Sequence, residues 1–346
     1  MNALGMLARL RTPQADGLVL RLKTLTPLYT GGIGQFGDQV HPSNLLGGIR
    51  HFSCLVANTL GVKDFASRLW GETGRAKAVA LRVRCTGKNE WLSGQAGKTL
   101  NIKVAPLQSY GWGFNRGFSG DIEISLLRRN TTLPEPYWQI LLLSLRIQTR
   151  RAMLGARDQW GMGVVSCQNL ADLQPLPREE LARGLAALFV PRRDPIAPNL
   201  LDACFVKLRI PQISPRTWEQ KLAAGLQWRY NLRNKFRGEG EDAVRHWLFG
   251  YLARSDSNGG GFQVSGAYPV RMKRAQGNSE IRDEIRLWWL WDHDEPPREV
   301  RGLLKAKGQE LQRRLISSFT DDVLVTQKQE TESPIEWVYR LAGVSI

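Results

Sequence analysis

The sequence is poor in the residues that most often bind metals or carry catalysis. Its 346 residues include four widely separated cysteines, Cys54, Cys85, Cys167 and Cys204. This spacing excludes a Cys-x-x-Cys zinc motif and a disulfide framework, and it fits a reducing cytoplasm. No Ser/His/Asp set, paired-carboxylate signature or His-Glu-x-x-His motif is present. We therefore expect no metal site and no cofactor.

Long hydrophobic runs are also missing. No segment of about eighteen apolar residues occurs, which excludes a membrane-spanning helix. Residues 1–11 contain two arginines and no long apolar core, so we expect no signal peptide. The sequence thus predicts a cytoplasmic protein.

Acidic residues are too few to balance the basic ones. The chain has 48 lysines and arginines against 32 aspartates and glutamates, a formal net charge of +16. Such an excess predicts a polyanionic partner, and nucleic acid is favoured because arginine, glycine and aromatic residues are interleaved. A membrane surface is less favoured, since no basic amphipathic helix lies beside a lipidation signal. The alternative is a generally solvated basic surface.

Hydrophobic patterning predicts the fold of the first half. Alternation of apolar and polar residues indicates strands over residues 18–23, 79–85, 122–126 and 162–167. A helix capped by Ser43 or Asn44 follows the first strand, and a helix opened by Pro136 precedes the fourth. The order strand, helix, strand, strand, helix, strand is the ferredoxin-like (βαββαβ, RRM-like) arrangement.

The same order recurs in the second half. After a short helix at 179–188, the pattern gives strands at 205–210, 262–270, 286–291 and 323–326, with helices at 218–249 and 297–319. The fold class predicted is therefore α+β, with two tandem ferredoxin-like domains. Residues 1–172 form the first domain, residues 173–200 a proline-rich connector, and residues 201–346 a diverged second domain.

The segment at residues 154–165, Leu-Gly-Ala-Arg-Asp-Gln-Trp-Gly-Met-Gly-Val-Val, is the strongest candidate binding element. Three glycines let a polyanion approach main-chain N–H groups, and they are Gly155, Gly161 and Gly163. Arg157 is suited to pair with a phosphate and Trp160 to stack on a base. The segment is neither a P-loop nor a dinucleotide fingerprint, because it follows a helix and lacks the Gly-Lys-Ser/Thr ending.

A second glycine-rich loop, residues 29–44, leads into the first helix. Unpaired N–H groups at a helix start favour an anion, and Arg50 and His51 lie within two turns of it. The alternative is an ordinary connection between strand and helix. Asp38 and His41 in this loop are the only candidate catalytic residues, as a metal-assisted carboxylate or a general base for RNA cleavage. A capping or structural role for His41 is the alternative, and we expect no catalytic site.

Four further groups mix basic and aromatic residues, as RNA-binding surfaces do. They are Lys23 on the first strand, Tyr110, Trp112 and Arg116 in residues 108–118, Arg150 and Arg151 beside Arg146 on the second helix, and Arg233, Lys235 and Arg237 in residues 228–237. The alternatives are loops packed on their own domain and solvated helix faces. The strand at 121–129 lacks the aromatic pattern of RNA-recognition domains, so RNA is not expected across that sheet.

Three stretches in order resemble one family. Residues 25–32 (LTPLYTGG), 42–52 (PSNLLGGIRHF) and 154–164 (LGARDQWGMGV) are similar to the first-strand, first-helix and glycine-rich motifs of the RAMP superfamily of CRISPR-associated proteins. Within it, the chain is most similar to the first subunit of the type III-B Cmr effector complex. It departs from that subunit where His51-Phe-Ser-Cys54 replaces a tryptophan-rich segment.

This resemblance implies a non-catalytic, RNA-binding subunit of an antiviral ribonucleoprotein. Its partners would be CRISPR guide RNA, target RNA and other type III effector subunits, with the guide held near its 3′ end. By position, Arg50, Arg157 and the loop glycines fall on the family's motifs. An endoribonuclease of the same superfamily and a general basic RNA-binding protein are the alternatives.

Overall fold

The structure is a computed structural model of the chain. It describes residues 17–26, 28–30, 40–74, 76–90, 117–129, 133–155, 163–188, 199–201, 203–210, 263–264, 268–273, 279–289 and 323–344.

The first sheet, sheet 1, has four antiparallel strands. They are β1 (Gly17–Thr24), β2 (Val79–Glu90), β3 (Gly117–Arg128) and β4 (Val165–Cys167), in the order β2-β3-β1-β4. Helix α1 (Pro42–Thr59) follows β1, and helix α2 (Glu135–Arg151) precedes β4. This is the element order predicted for the first half.

The two faces of sheet 1 differ as the alternation predicts. Leu20 and Leu22 are fully buried, whereas Arg21 and Lys23 point to solvent. On the outer face, Lys23 stands opposite Asp121 of β3, which places a carboxylate beside the amine. The inner face therefore carries the core, and the outer face is polar.

Helix α2 lies at the centre of the molecule. Every residue from Pro136 to Thr149 is buried. A helix that is covered on all sides needs neighbours beyond one sheet. Those neighbours include α1, helix α3 (Arg178–Leu188) and the C-terminal helix α4 (Pro334–Ala342).

Several predicted boundaries are wrong. Neither Ser43 nor Asn44 caps α1; the N-cap residue is His41, and no side chain caps this end. Pro42, the first residue of the helix, lacks an N–H, so one group that would need a cap is absent. The strand predicted at 162–167 begins only at Val165, because Gly163 takes a left-handed conformation (φ 78°) that ends the extended pairing.

The second sheet, sheet 2, is also antiparallel in every pairing described. It contains β5 (Cys204–Ile210), β6 (Gln263–Val264), β7 (Tyr268–Lys273), β8 (Ser279–Trp289) and β9 (Val323–Thr326). Its order is β6-β8-β5-β9, and β7 also pairs with β8. The strand predicted at 262–270 is thus two strands, and the one at 286–291 begins earlier. The helices predicted at 218–249 and 297–319 lie outside the described residues, so the tandem arrangement stays a prediction.

Helix α4 packs against α2, α1 and α3, which places the end of the described chain beside the helices of sheet 1. Trp337, Val338 and Leu341 are fully buried there. This helix was not predicted from the sequence. Its signal was present, because Ser333 and Glu336 form a capping box in which each side chain binds the other residue's backbone N–H.

Candidate nucleic-acid interface

The chain that follows β1 pairs with the start of β3 through an isolated β-bridge between Leu28 and Phe118. The N–H of Leu28 donates to the carbonyl of Phe118, and the N–H of Phe118 donates back, each at 2.8 Å. The described end of the segment predicted to stack on bases, residues 108–118, therefore lies beside Leu28. The loop predicted to seat a phosphate, residues 29–44, is described at Tyr29 and Thr30, directly after Leu28, and again from Val40 onward.

Thr30 and the start of α1 close the first glycine-rich loop. The backbone N–H of His41 donates to the hydroxyl oxygen of Thr30 at 2.8 Å. The side-chain amide of Asn44 donates to the Thr30 carbonyl. Thr30 is itself buried. The two chain ends that flank residues 31–39 are consequently held together by side-chain contacts.

Backbone hydrogen bonds close the glycine-rich segment that follows α2. The N–H of Leu154 donates to the carbonyl of Gly163 at 2.9 Å. The N–H of Val164 donates to the Thr26 hydroxyl at 3.0 Å, and the Val164 carbonyl accepts from the N–H of Leu25 at 2.8 Å. We call Leu154, Gly155, Gly163 and Val164 the loop neck. It is attached directly to the end of β1.

Two positions of the loop neck require glycine. Gly155 and Gly163 have φ values of 82° and 78°. A Cβ atom at Gly155 would lie 2.5 Å from the carbonyl oxygen of Tyr29, and one at Gly163 would overlap the Leu154 carbonyl. The backbone of the neck therefore lies directly on the strand extension that leads to Thr30.

Helix α1 meets the loop neck through a glycine. The Cβ position of Gly48 points toward Gly155, whose oxygen and nitrogen lie 3.7 and 3.8 Å away. At about 100° per residue, His51 lies roughly 60° around α1 from Gly48, and Arg50 roughly 160°. Of the two α1 residues predicted to bind RNA, His51 therefore lies nearer the neck than Arg50 does. Its pKa is lowered by desolvation, although it retains solvent contact.

Lys23 also lies near the neck. It is exposed on the outer face of sheet 1, opposite Ser166 of β4, two residues beyond Val164. Arg50 is exposed on α1. The described ends of three segments predicted to bind RNA, together with Lys23, therefore lie at one end of sheet 1. Arg50 lies on another side of α1, facing away from the neck.

Two arginines of α2 contact the carbonyl end of α4. The Arg146 Nε donates to the Ala342 carbonyl at 3.3 Å, and the Arg151 Nε donates to the Leu341 carbonyl at 2.9 Å. Arg151 also binds the Thr326 hydroxyl at 3.1 Å. The last carbonyls of a helix lack intrahelical partners, and its dipole attracts cations there.

Arg150 lies on the same helix turn, with its guanidinium against Gly343. Burial lowers the pKa of Arg150, and the charge of Arg286 lowers it further. Burial lowers the pKa of Arg151 to about 10, with contributions from Arg150, Arg340 and Arg286. An RNA contact of Arg150 or Arg151 stays a prediction, to be weighed against these internal contacts.

Several predicted residues cannot be placed. Those outside the described residues are Asp38, Tyr110, Trp112, Arg116, Arg157, Trp160, Gly161, Arg233, Lys235 and Arg237. His41 is described; its backbone closes the first loop, and its catalytic role stays a prediction. Within the described ranges, no group of three His, Cys, Asp or Glu residues is arranged to hold a metal ion. No helix described is long and apolar enough to cross a membrane.

Two threonines that close these loops were not singled out from the sequence. Thr26 follows the first predicted strand and Thr30 lies in the predicted loop, and their hydroxyls accept hydrogen bonds from the backbone N–H groups of Val164 and His41. Arg286 was also missed, although its alternation with Trp288 along β8 signals a shared buried face.

The fold and this site define the class of protein. It is an α+β chain with two antiparallel sheets, and a loop neck that requires glycine lies at one end of sheet 1. No family model and no curated protein matches the sequence. Among solved structures, apo Cmr1 from Pyrococcus furiosus has this fold, with a TM-score of 0.50 and 13% identity over 89% of this chain and 98% of that chain.

A chain of the type III-B Cmr-beta complex, solved bound to cognate target RNA, is similar to the same degree. Its TM-score is 0.50, with 12% identity over 86% of this chain and 99% of that chain. The likeness establishes a common fold. Both are Cmr proteins, as the resemblance of the three motifs predicted.

Proposed function

We propose that this chain is a non-catalytic RNA-binding subunit of a type III, Cmr-like CRISPR effector complex. In this role it holds the guide RNA near its 3′ end and helps to capture target RNA. The observation that carries the proposal is the meeting of the described ends of three chain segments at Leu28, Thr30 and the loop neck. Each segment had been predicted from sequence to bind RNA.

The chemistry of the described residues suits a nucleic-acid backbone. Lys23 and Arg50 are exposed cations, and the formal charge of +16 draws a polyanion toward the chain. The Cmr-beta complex of similar fold binds target RNA, which supports RNA as the partner.

We also infer that the two sheets belong to tandem ferredoxin-like units, with the connector at residues 173–200. The support is the strand order, because in both sheets the first strand lies between the last two strands of that sheet. A βαββαβ unit produces this order.

The proposal is tested by salt-dependent RNA binding. Lys23→Ala and Arg50→Ala should each weaken binding to single-stranded guide RNA and lower the slope of log K against log salt by about 0.7, the value for one lost phosphate contact. Filter binding or fluorescence anisotropy from low to moderate salt measures both quantities.

Arg183→Ala is the matched control. Arg183 is exposed on α3, next to Gly184, whose Cβ position lies 2.8 Å from Pro136 at the start of α2. Seventeen residues of α2 separate that point from the neck by about 25 Å. Equal loss of binding in all three variants would favour a diffuse basic surface over a defined site.

Two further measurements separate the alternatives. RNA recovered with the tagged protein from its native host should carry CRISPR repeat sequence; mixed cellular RNA would indicate a general RNA-binding protein. Labelled precursor and target RNA should stay intact with the purified protein, in magnesium and in EDTA. Cleavage abolished by His41→Ala or Asp38→Ala would overturn the non-catalytic assignment.

A further inference from the structure

Arg286 is a buried arginine that reaches from sheet 2 into the helices of sheet 1. It lies on β8 and is 7% exposed. Its Nη1 donates to the carbonyl of Thr149 at 3.0 Å and lies 3.4 Å from the carbonyl of Val165. Thr149 belongs to the last turn of α2, and Val165 begins β4.

These two carbonyls flank the loop neck in the chain. Thr149 comes five residues before Leu154, and Val165 directly follows Val164. One guanidinium therefore bridges the segment that leads into the neck and the segment that leaves it. Within the neck, the hydrogen bond from Leu154 to Gly163 closes the same loop at 2.9 Å.

An arginine is chemically suited to this position. The last carbonyls of α2 have no partner within the helix and carry its negative dipole end. A charged donor makes a stronger hydrogen bond than a neutral one, and a planar guanidinium can serve two acceptors. The charge of Arg286 lowers the pKa of Arg150, because the two guanidinium groups repel each other. Arg286 keeps its contacts with the two carbonyls despite this repulsion.

Trp288 fixes the strand that carries Arg286. Two residues along β8 and on the same face, Trp288 is 6% exposed. Its ring meets Phe52 of α1 edge-on at 5.7 Å and stacks on Phe205 of β5 at 5.8 Å. Beside the guanidinium, β8 is consequently anchored to helix α1 and to its neighbour strand β5.

We propose that Arg286 is a positioning residue through which sheet 2 sets the conformation of the loop neck and hence of the RNA interface. The link to RNA rests on the proposed function above. The effect on the neck does not, because it concerns hydrogen bonds within the protein.

The first test is hydrogen exchange on the full chain carrying Arg286→Gln or Arg286→Lys. The amides of Leu154 and Val164 should exchange about ten-fold faster in Arg286→Gln, as expected for loss of a charged hydrogen bond. The amide of Leu181, which binds the Pro177 carbonyl in α3, should be unchanged. Arg286→Lys retains the charge with a single ammonium and should give an intermediate rate, and it serves as the assayed variant if Arg286→Gln does not fold.

Arg340→Gln is the matched control. Arg340 is a half-buried arginine of α4 that, like Arg286, donates to a backbone carbonyl. It binds Glu332 at 2.7 Å and the Gln327 carbonyl at 2.6 Å instead of the neck. Neck exchange that stays unchanged in the Arg286 variants, or that rises equally in Arg340→Gln, overturns the positioning role whether or not the protein binds RNA.

The second test is RNA binding by the same variants. Arg286→Gln should weaken guide-RNA binding about ten-fold without changing the salt slope, because the buried guanidinium touches no phosphate. A lowered slope would indicate direct contact and would overturn the positioning role. If exchange rises but affinity holds while Lys23→Ala and Arg50→Ala weaken binding, the link from the neck to RNA is wrong. If none of these variants alters affinity, the proposed function fails. The exchange result then still decides whether Arg286 positions the neck.

Discussion

At the residue scale, the loop neck depends on the absence of a side chain at Gly155. The φ of 82° and the 2.5 Å approach to the Tyr29 oxygen leave no room for Cβ. Gly155→Ala should therefore lower the free energy of unfolding by about 1–3 kcal/mol. Urea denaturation measures the change.

Gly47→Ala is the corresponding control within α1. Nothing lies within 4 Å of its Cβ position, so alanine should stabilise the helix by about 0.5–1 kcal/mol. If both alanine variants changed stability in the same direction and by similar amounts, the close packing of Gly155 on Tyr29 would be wrong.

At the scale of elements, the capping box makes α4 a defined helix. The Ser333 hydroxyl accepts from the Glu336 N–H at 3.4 Å, and the Glu336 carboxylate accepts from the Ser333 N–H at 2.9 Å. Ser333→Ala should cost about 1 kcal/mol of unfolding free energy. Thermal or urea denaturation of the full chain measures it.

Ser43→Ala provides the comparison, because Ser43 is exposed in the first turn of α1, where no side chain caps the helix. We expect its effect to lie within about 0.5 kcal/mol. A larger loss for Ser43→Ala than for Ser333→Ala would reverse the assignment of the two helix starts.

Which elements could be predicted depends on where their partners lie in the sequence. The alternation in β1 and β3 reports a sheet face, and the strand at Val323–Thr326 was predicted with its observed bounds. The start of α1 was wrong because Thr30, Asn44 and His41 form the turn through contacts that no local pattern reports. The role of Arg286 was beyond sequence reasoning, since Thr149 is distant in the chain and any arginine on a strand is more often solvated.

At the scale of the whole molecule, an aromatic contact joins helix α1 to sheet 2. Phe52 and Trp288 meet edge-on at 5.7 Å, and both are buried. A double-mutant cycle with Phe52→Leu and Trp288→Leu should give a coupling energy of about 0.5–1.5 kcal/mol.

Phe65→Leu combined with Trp288→Leu is the control cycle. The Phe65 ring stacks on Tyr137 at 6.1 Å instead, within the helices of sheet 1. The two substitutions should be additive within about 0.5 kcal/mol. Equal coupling in both cycles would mean that Leu at position 288 disturbs the whole core, and the direct contact with Phe52 would not be supported.

The position of α4 has a consequence for how the protein is made. Residues 334–342 leave the ribosome after every strand of both sheets, yet Trp337 and Leu341 complete the core around α2. At about 5–20 residues per second, translation of the intervening chain takes on the order of ten seconds or more. During that interval, the nascent chain carries an uncovered apolar surface beside Arg146 and Arg151. Chaperones and early-assembling partners therefore meet a different surface from the one that the finished protein presents.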